Sequence, residues 1–366
     1  MFHFLHKKAG GAKKTFYMHI GFSKTGTTSI QTFLSENSKW MAERGMHWVG
    51  DLHQLHDNDI STLEKLSFAL QNSLQYTLEQ FLTSPLSSGV VSSEFFPQFI
   101  NNDKQLKWVR DNFATTVVAV VRNQVAMDEA GYQQAVKGLS LGGVWGCPAP
   151  QDYQGYCEGN FLDGYASIFG EDAVAVLPYD FLNEKDGLLQ TFVHAIGLPD
   201  LSGSSLPKRQ NEGLGYDYFL FLQQSLFLPL PMDIRRALCE NLIDLSGKSG
   251  EKRSFLIIPR ENHLTRLRLR EHELRYVGKE FLHIPDWFEY CQSYLEKQKD
   301  APYTELPLEK QRVIFDQLPS VLQEALDKAM PDSLKPKLLP PLPTDSASYA
   351  LMTAWVKNSV VQLSKP

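Results

Sequence analysis

The stretch Phe16–Leu34, FYMHIGFSKTGTTSIQTFL, decides how the chain is read. Phe16 to Ile20 are apolar and β-prone, and Gly21 interrupts them. The polar loop Phe22-Ser23-Lys24-Thr25-Gly26 follows. Thr27-Thr28-Ser29 then leads into a segment that sets Ile30, Phe33, Leu34 and Met41 at helical spacing, which predicts an amphipathic helix. Strand, glycine-bearing loop and helix start form an anion cradle. The first-turn amides have no acceptor inside the helix, and the helix dipole favours negative charge there. Lys24 adds a cation, and the loop hydroxyls add further donors.

Gly21 and Gly26 have the separation of the nucleotide-triphosphate loop G-x-x-x-x-G-K-[ST], but Thr27 stands where that loop has its lysine, and the lysine is Lys24, inside the loop. Further along, Val90-Val91-Ser92-Ser93-Glu94-Phe95-Phe96 reads as a short strand ending in polar residues. In an open parallel sheet, ligands bind at the carboxyl ends of strands, which gives Glu94 reach to a substrate. The continuous β-branched run Thr115–Val121 reads as a central parallel strand covered on both faces. It terminates at Arg122, whose guanidinium can hold phosphate through two parallel hydrogen bonds.

K-T-G-T-T-S after a strand resembles the 5′-phosphosulfate loop of the sulfotransferase family, which uses 3′-phosphoadenosine 5′-phosphosulfate (PAPS). That family places an arginine at the end of such a central strand and a serine eight residues later, both on the 3′-phosphate. Bacterial members often read R-R-x-x-x-x-x-x-S-x-Y-x-Q there. This chain has Arg122, Tyr132 and Gln134, but Ala130 replaces the serine. One hydroxyl donor to the 3′-phosphate is therefore missing, and Lys137, Lys208 and Arg209 are the candidates to compensate. Pro178-Tyr179-Asp180-Phe181-Leu182 after the strand Ala173–Leu177 resembles the family's tyrosine-acid turn, which is mainly structural. Lys208 and Arg209 sit where the family has a basic segment that closes over the nucleotide. The resemblance runs from Phe16 to about Asn211.

The expected fold is α/β: a parallel sheet like that of the P-loop nucleotide hydrolases, flanked by helices, with a mainly helical C-terminal extension. Residues 1–14 read as a loose basic tail. Residues 15–300 read as the α/β domain with a helical insert at about 215–280, and 301–366 as a proline-rich linker and C-terminal helices packed on the core. Helices are expected through about Arg44 and over Ser61–Thr83, Asp103–Asn112, Asn160–Phe169, Leu188–Ile196, Tyr216–Phe227, Met232–Leu245 and His263–Glu280. The last segment, Ala347–Leu363, could dock on its own domain, pair with a second subunit or touch a membrane surface.

A net charge of -6 argues against broad electrostatic binding to nucleic acid, so an anionic ligand must be held by a few placed cations. The four cysteines contain no C-x-x-C pair, and reduced thiols are expected. No stretch is apolar enough to span a bilayer, and a cytoplasmic protein is expected. His53, His56, Asp57 and Asp59 fit no zinc spacing, and no metal site is expected.

The resemblance implies sulfuryl transfer from PAPS, leaving adenosine 3′,5′-bisphosphate. Ser23, Lys24, Thr25, Gly26, Thr27, Thr28 and Ser29 would hold the 5′ end, and Arg122, Lys208 and Arg209 the rest of the nucleotide. Lys24 and Glu94 would be catalytic, Glu94 as general base, with no metal required. The expected acceptor is a glycan or a small hydroxylated or amine compound, and Trp145, Tyr153 and Tyr156 in the loop Gly138–Tyr156 are candidates to stack on it. The rival readings are a P-loop kinase-like phosphotransferase, which calls for a lysine after Gly26, and a non-catalytic nucleotide- or glycan-binding relative.

Overall fold

The two stretches that set the sequence reading, Phe16–Ile20 and Thr115–Val121, lie side by side in the centre of one sheet. The structure is a computed structural model, which describes residues 13–22, 24–51, 74, 76–94, 96, 103–138, 158–182, 187–207, 213–250, 255–302, 305–330 and 339. Elements run β1 (Lys14–Ile20), α1 (Thr27–Glu36), α2 (Ser38–Ala42), β2 (Met46–Asp51), β3 (Ser88–Ser93), α3 (Asp103–Asn112), β4 (Phe113–Val121), α4 (Gln124–Lys137) and α5 (Glu158–Phe169). Then come β5 (Val174–Pro178), α6 (Gly187–Ala195), α7 (Tyr216–Ser225), α8 (Met232–Ser249), α9 (Arg260–Leu269) and α10 (Glu271–Tyr276), followed by α11 (Trp287–Lys297), α12 (Leu308–Phe315) and α13 (Ser320–Ala329). The chain divides into two compact, interleaved units. The first comprises residues 1–122, 157–210 and 273–286, and the second 123–156, 211–272 and 287–366.

The first unit holds a five-stranded parallel sheet in the order β2-β3-β1-β4-β5, flanked by helices. Residues alternate between its faces along β1, as strand geometry requires. Phe16 packs on Phe81 and Phe113, at ring-centroid distances of 6.3 and 5.2 Å. His19 faces the other way, edge-on to Phe192 of α6 at 5.1 Å. On that side Ile30, Phe33 and Leu34 of α1, Trp40 and Met41 of α2, and Phe192 and Val193 of α6 bury Val118 and Val120 of β4. Each fully buried aliphatic of this kind contributes about 1.5–3 kcal/mol. Coverage of both faces explains why β4 reads as an unbroken apolar run. A π-helical turn, Val277–Leu282, packs on the edge strand β5.

Asn37 ends α1 earlier than the expected helix through about Arg44. Its amide Nδ2 donates to the carbonyls of Phe33 and Ser205, each at 2.8 Å, so its side chain competes with the helix for the same backbone acceptor. The single helix expected over His263–Glu280 is three pieces, α9, α10 and the π turn, stopped by His283 at φ 55. Of the helix expected over Ser61–Thr83, only the helical residues 74 and 76–83 are described. The loop Gly138–Tyr156 (Gly138 apart), the His53–Asp59 stretch and Ala347–Leu363 lie outside the described residues. No described helix is long and apolar enough to cross a membrane.

The second unit is helical. Residues Tyr216 and Tyr218–Ser225 of α7 are buried on every face, with Leu238 and Leu242 of α8, Ile314 of α12, and Leu322 and Leu326 of α13 in the same cluster. Acidic residues of α4 are buried here with partners. The Glu129 carboxylate accepts the amides of Ile257 (2.9 Å) and Ile258 (2.9 Å) and His263 Nε2 (3.0 Å). Asp128 pairs with Arg266 at 3.1 Å and accepts Gln124 Nε2 at 2.7 Å.

His19 is fully buried in the sheet face under α6. Its Nδ1 lies 2.7 Å from Ser92 Oγ, and its Nε2 is buried without a hydrogen-bond partner. Burial lowers its pKa from 6.5 to about 3. Between those values the unfolded chain binds a proton that the folded one does not, so stability falls as pH drops below 6.5. The loss amounts to about 2 kcal/mol at pH 5. His19→Gln should flatten this acid slope, read as urea midpoints at pH 7 and pH 5. Parallel pH dependences in the two proteins would contradict the assignment.

Candidate active site

The sheet order brings the ends of three strands together. Ile20, the last residue of β1, pairs with Ser93 of β3 on one side and Ala119 of β4 on the other. The Gly21 amide extends the ladder, donating to the Ser93 carbonyl at 2.9 Å. Glu94 therefore leaves β3 beside the start of the loop, and Arg122 follows β4 on the loop's other flank. β1 sits where strand order reverses, the place at which open α/β sheets bind ligands.

Two glycines allow the loop its shape. A methyl group at Gly21 would lie 2.7 Å from Thr27 Cγ2 and 3.1 Å from Glu94 Cγ, so the glycine lets Glu94 close on the loop. Gly26 has φ 85, and a methyl there would run into Leu188 Cδ2 and lie 3.1 Å from Tyr179 Cε2. Lys24 is left-handed too, at φ 65, a conformation that costs a residue with a Cβ about 1–2 kcal/mol. Something must hold it there. Arg122 Nη1 donates to the Lys24 carbonyl at 3.0 Å. The Arg122 guanidinium sits in turn over the Tyr179 ring, 4.7 Å from its centroid, a cation–π contact worth about 0.5–2 kcal/mol. Arg122 Nε is buried and has no hydrogen-bond partner among the described residues.

The loop hydroxyls divide into two sets. Thr25 Oγ1 donates inward to the Phe22 carbonyl at 2.7 Å, and Thr27 Oγ1 lies 3.4 Å from the same oxygen; both residues are buried. These hydroxyls hold the turn. Thr28 is exposed and Ser29 half-buried. No side chain caps α1, and its first helical bond runs from the Ile30 amide to the Gly26 carbonyl at 3.1 Å. The amides before Ile30 thus have no acceptor within the helix.

Charge is concentrated on Lys24. Burial lowers its pKa below the ordinary 10.5, the Glu94 carboxylate raises it, and the Arg122 guanidinium lowers it. One lysine thus has a carboxylate and a second cation for neighbours at the mouth of an anion cradle. The arrangement can bind a phosphate-like group and present a carboxylate to whatever approaches it.

Lys24, Glu94 and Arg122 come together, with Gly26, Thr27, Thr28 and Ser29 at the helix start. Ser23, Lys208 and Arg209 lie outside the described residues, and Ala130 is half-buried on α4. Tyr179 is the residue whose place the sequence reading undervalued. Its turn was expected to be mainly structural, but the Arg122 guanidinium lies over its ring, and a methyl group at Gly26 would come within 3.1 Å of it. The signal available was its position just after the strand β5, at the same carboxyl end of the sheet as Glu94 and Arg122.

No known family model matches the chain, and no curated protein matches it. Among solved structures it is similar to the crystal structure of a sulfotransferase from Alicyclobacillus acidocaldarius, at 15% identity and a TM-score of 0.35, over 64% of this chain and 97% of that one.

Proposed function

We propose that this chain is a sulfotransferase, moving the sulfuryl group of PAPS to a hydroxyl or amine acceptor, with a carbohydrate as the favoured acceptor class. The observation that carries the reading is the grouping of Lys24, Glu94 and Arg122 around the loop between β1 and α1. The same residues support the resemblance of the loop sequence, in which lysine lies inside the loop and threonine follows the second glycine.

The residues suit a single in-line displacement at sulfur. The acceptor oxygen forms a new bond to sulfur as the bond from sulfur to the bridging phosphate oxygen breaks. The electron pair stays on that oxygen, and adenosine 3′,5′-bisphosphate leaves. Lys24 and the first-turn amides of α1 meet the charge that builds there, and donors already in place need no reorganisation as it develops. Glu94 takes the proton from the acceptor oxygen. Arg122, with the donors left after it serves the Lys24 carbonyl, faces the nucleotide's remaining phosphate, and Lys208 and Arg209 would close over it. Thr28 and Ser29 add hydroxyl donors, and Ser23 belongs to the same set.

The test is transfer of labelled sulfur from PAPS to a panel of glycans and small alcohols. Lys24→Ala should abolish transfer while thermal unfolding stays cooperative, and near-normal turnover would remove the loop from the mechanism. Glu94→Gln should cut the rate ~100-fold or more as the loss of a general base. A wild-type rate would leave Glu94 with a packing role beside Gly21.

A further inference from the structure

Arg122 has a second duty that its place at a strand end did not announce. We propose that Tyr179 and Arg122 form a positioning relay: the Tyr179 ring holds the Arg122 guanidinium, which in turn fixes the Lys24 carbonyl and so the conformation of the anion loop. The inference rests on the reading of that loop as the anion site, but not on the identity of the nucleotide.

The geometry is specific. Among the described loop residues two are left-handed, Lys24 and Gly26, and Tyr179 bears on each. Tyr179 borders Gly26, where a methyl group would come within 3.1 Å of Cε2. Lys24 is reached through Arg122, by the 4.7 Å cation–π contact and the 3.0 Å hydrogen bond. Glycine adopts a left-handed φ without penalty, whereas lysine does not, and Lys24 is the one of the two whose carbonyl receives the Arg122 side chain. Fixing the Lys24 carbonyl also fixes its peptide plane, because C=O and the following N–H are rigidly opposed across a trans peptide. The Thr25 amide is thereby turned away from Arg122.

Arginine suits this role for a stated reason. A planar guanidinium can stack by its face and donate by its edge at once, which a lysine ammonium cannot. Glu94 faces Lys24 from the β3 end and Arg122 from the β4 end, and the Arg122 guanidinium is held by a ring and a carbonyl. Tyr179 and Arg122 are thus positioning residues for Lys24, whatever else Arg122 contacts.

The readout is Lys24 itself, in protein without ligand. Its ε-carbon is followed by NMR across pH in lysine-labelled protein and assigned with Lys24→Met. Removing the neighbouring positive charge in Arg122→Met should move the Lys24 midpoint to higher pH. Tyr179→Leu, which keeps Arg122 but removes its ring, should move it in the same direction, and Tyr179→Phe, which keeps the ring, should restore the wild-type curve. An Arg122→Met midpoint at or below wild type, or a Tyr179→Leu curve that coincides with wild type in folded protein, would overturn the relay. Should Tyr179→Leu fail to fold, Arg122→Lys carries the test. It keeps the charge and loses the planar guanidinium, so its Lys24 curve must leave the wild-type one, and coincidence would overturn the relay. Parallel titration of wild type with adenosine 3′,5′-bisphosphate separates the two ideas. Absence of binding there counts against the sulfotransferase reading and leaves the Lys24 curves to decide the relay.

Discussion

A hydrogen bond from Arg122 Nη1 to the carbonyl of Lys24, at 3.0 Å, ties the end of β4 to the loop that follows β1. The site depends on that bond because the loop is unfavourable by itself. It asks a lysine to adopt a left-handed backbone, which a Cβ resists. The bond exists only because β1 and β4 are neighbours, with Ile20 opposite Ala119. A different strand order would leave Lys24 and Arg122 with no common ground. Sheet topology, set by long apolar runs packed between helices, is thus the remote cause of a local hydrogen bond.

The same arrangement sets the electrostatics. Lys24 is partly desolvated, which weakens its charge, and Arg122 adds a like charge nearby; Glu94 opposes both. Removing charge from water is costly unless it is paired, and the Glu94 carboxylate partly offsets that cost for Lys24. A bound dianion would complete the set. Preorganised cations and amides in a partly buried cradle act more strongly on an anion than the same groups in water, where solvent screens them. The site accepts a stability cost in the free protein for groups that are already aimed at the charge they meet.

The sheet was legible because its signals are local. Phe16–Ile20 and Thr115–Val121 carry strand character in their own composition, and the loop carries its lysine and glycines within a few residues. Arg122 and Glu94 were legible as strand-end residues, since strand ends are where such chemistry collects. What escaped depends on contacts between distant segments. Tyr179 meets Arg122 across the gap between two strand ends, and nothing in the turn around it marks that contact. Thr25 and Thr27 could not be told from the outward hydroxyls, because turning in toward the Phe22 carbonyl is a matter of loop geometry. The early end of α1 follows from Asn37 reaching Ser205, far along the chain.

The claim at the centre of the account is that the loop after β1 holds the 5′ end of a nucleotide carrying a second phosphate. Calorimetric titration of the full chain with adenosine 3′,5′-bisphosphate, ATP and GTP, each without magnesium, tests it most directly. The account predicts that the bisphosphate binds at least tenfold more tightly than either triphosphate, a difference of about 1.4 kcal/mol or more. Preference for a triphosphate, or equal affinity for all three, would contradict it.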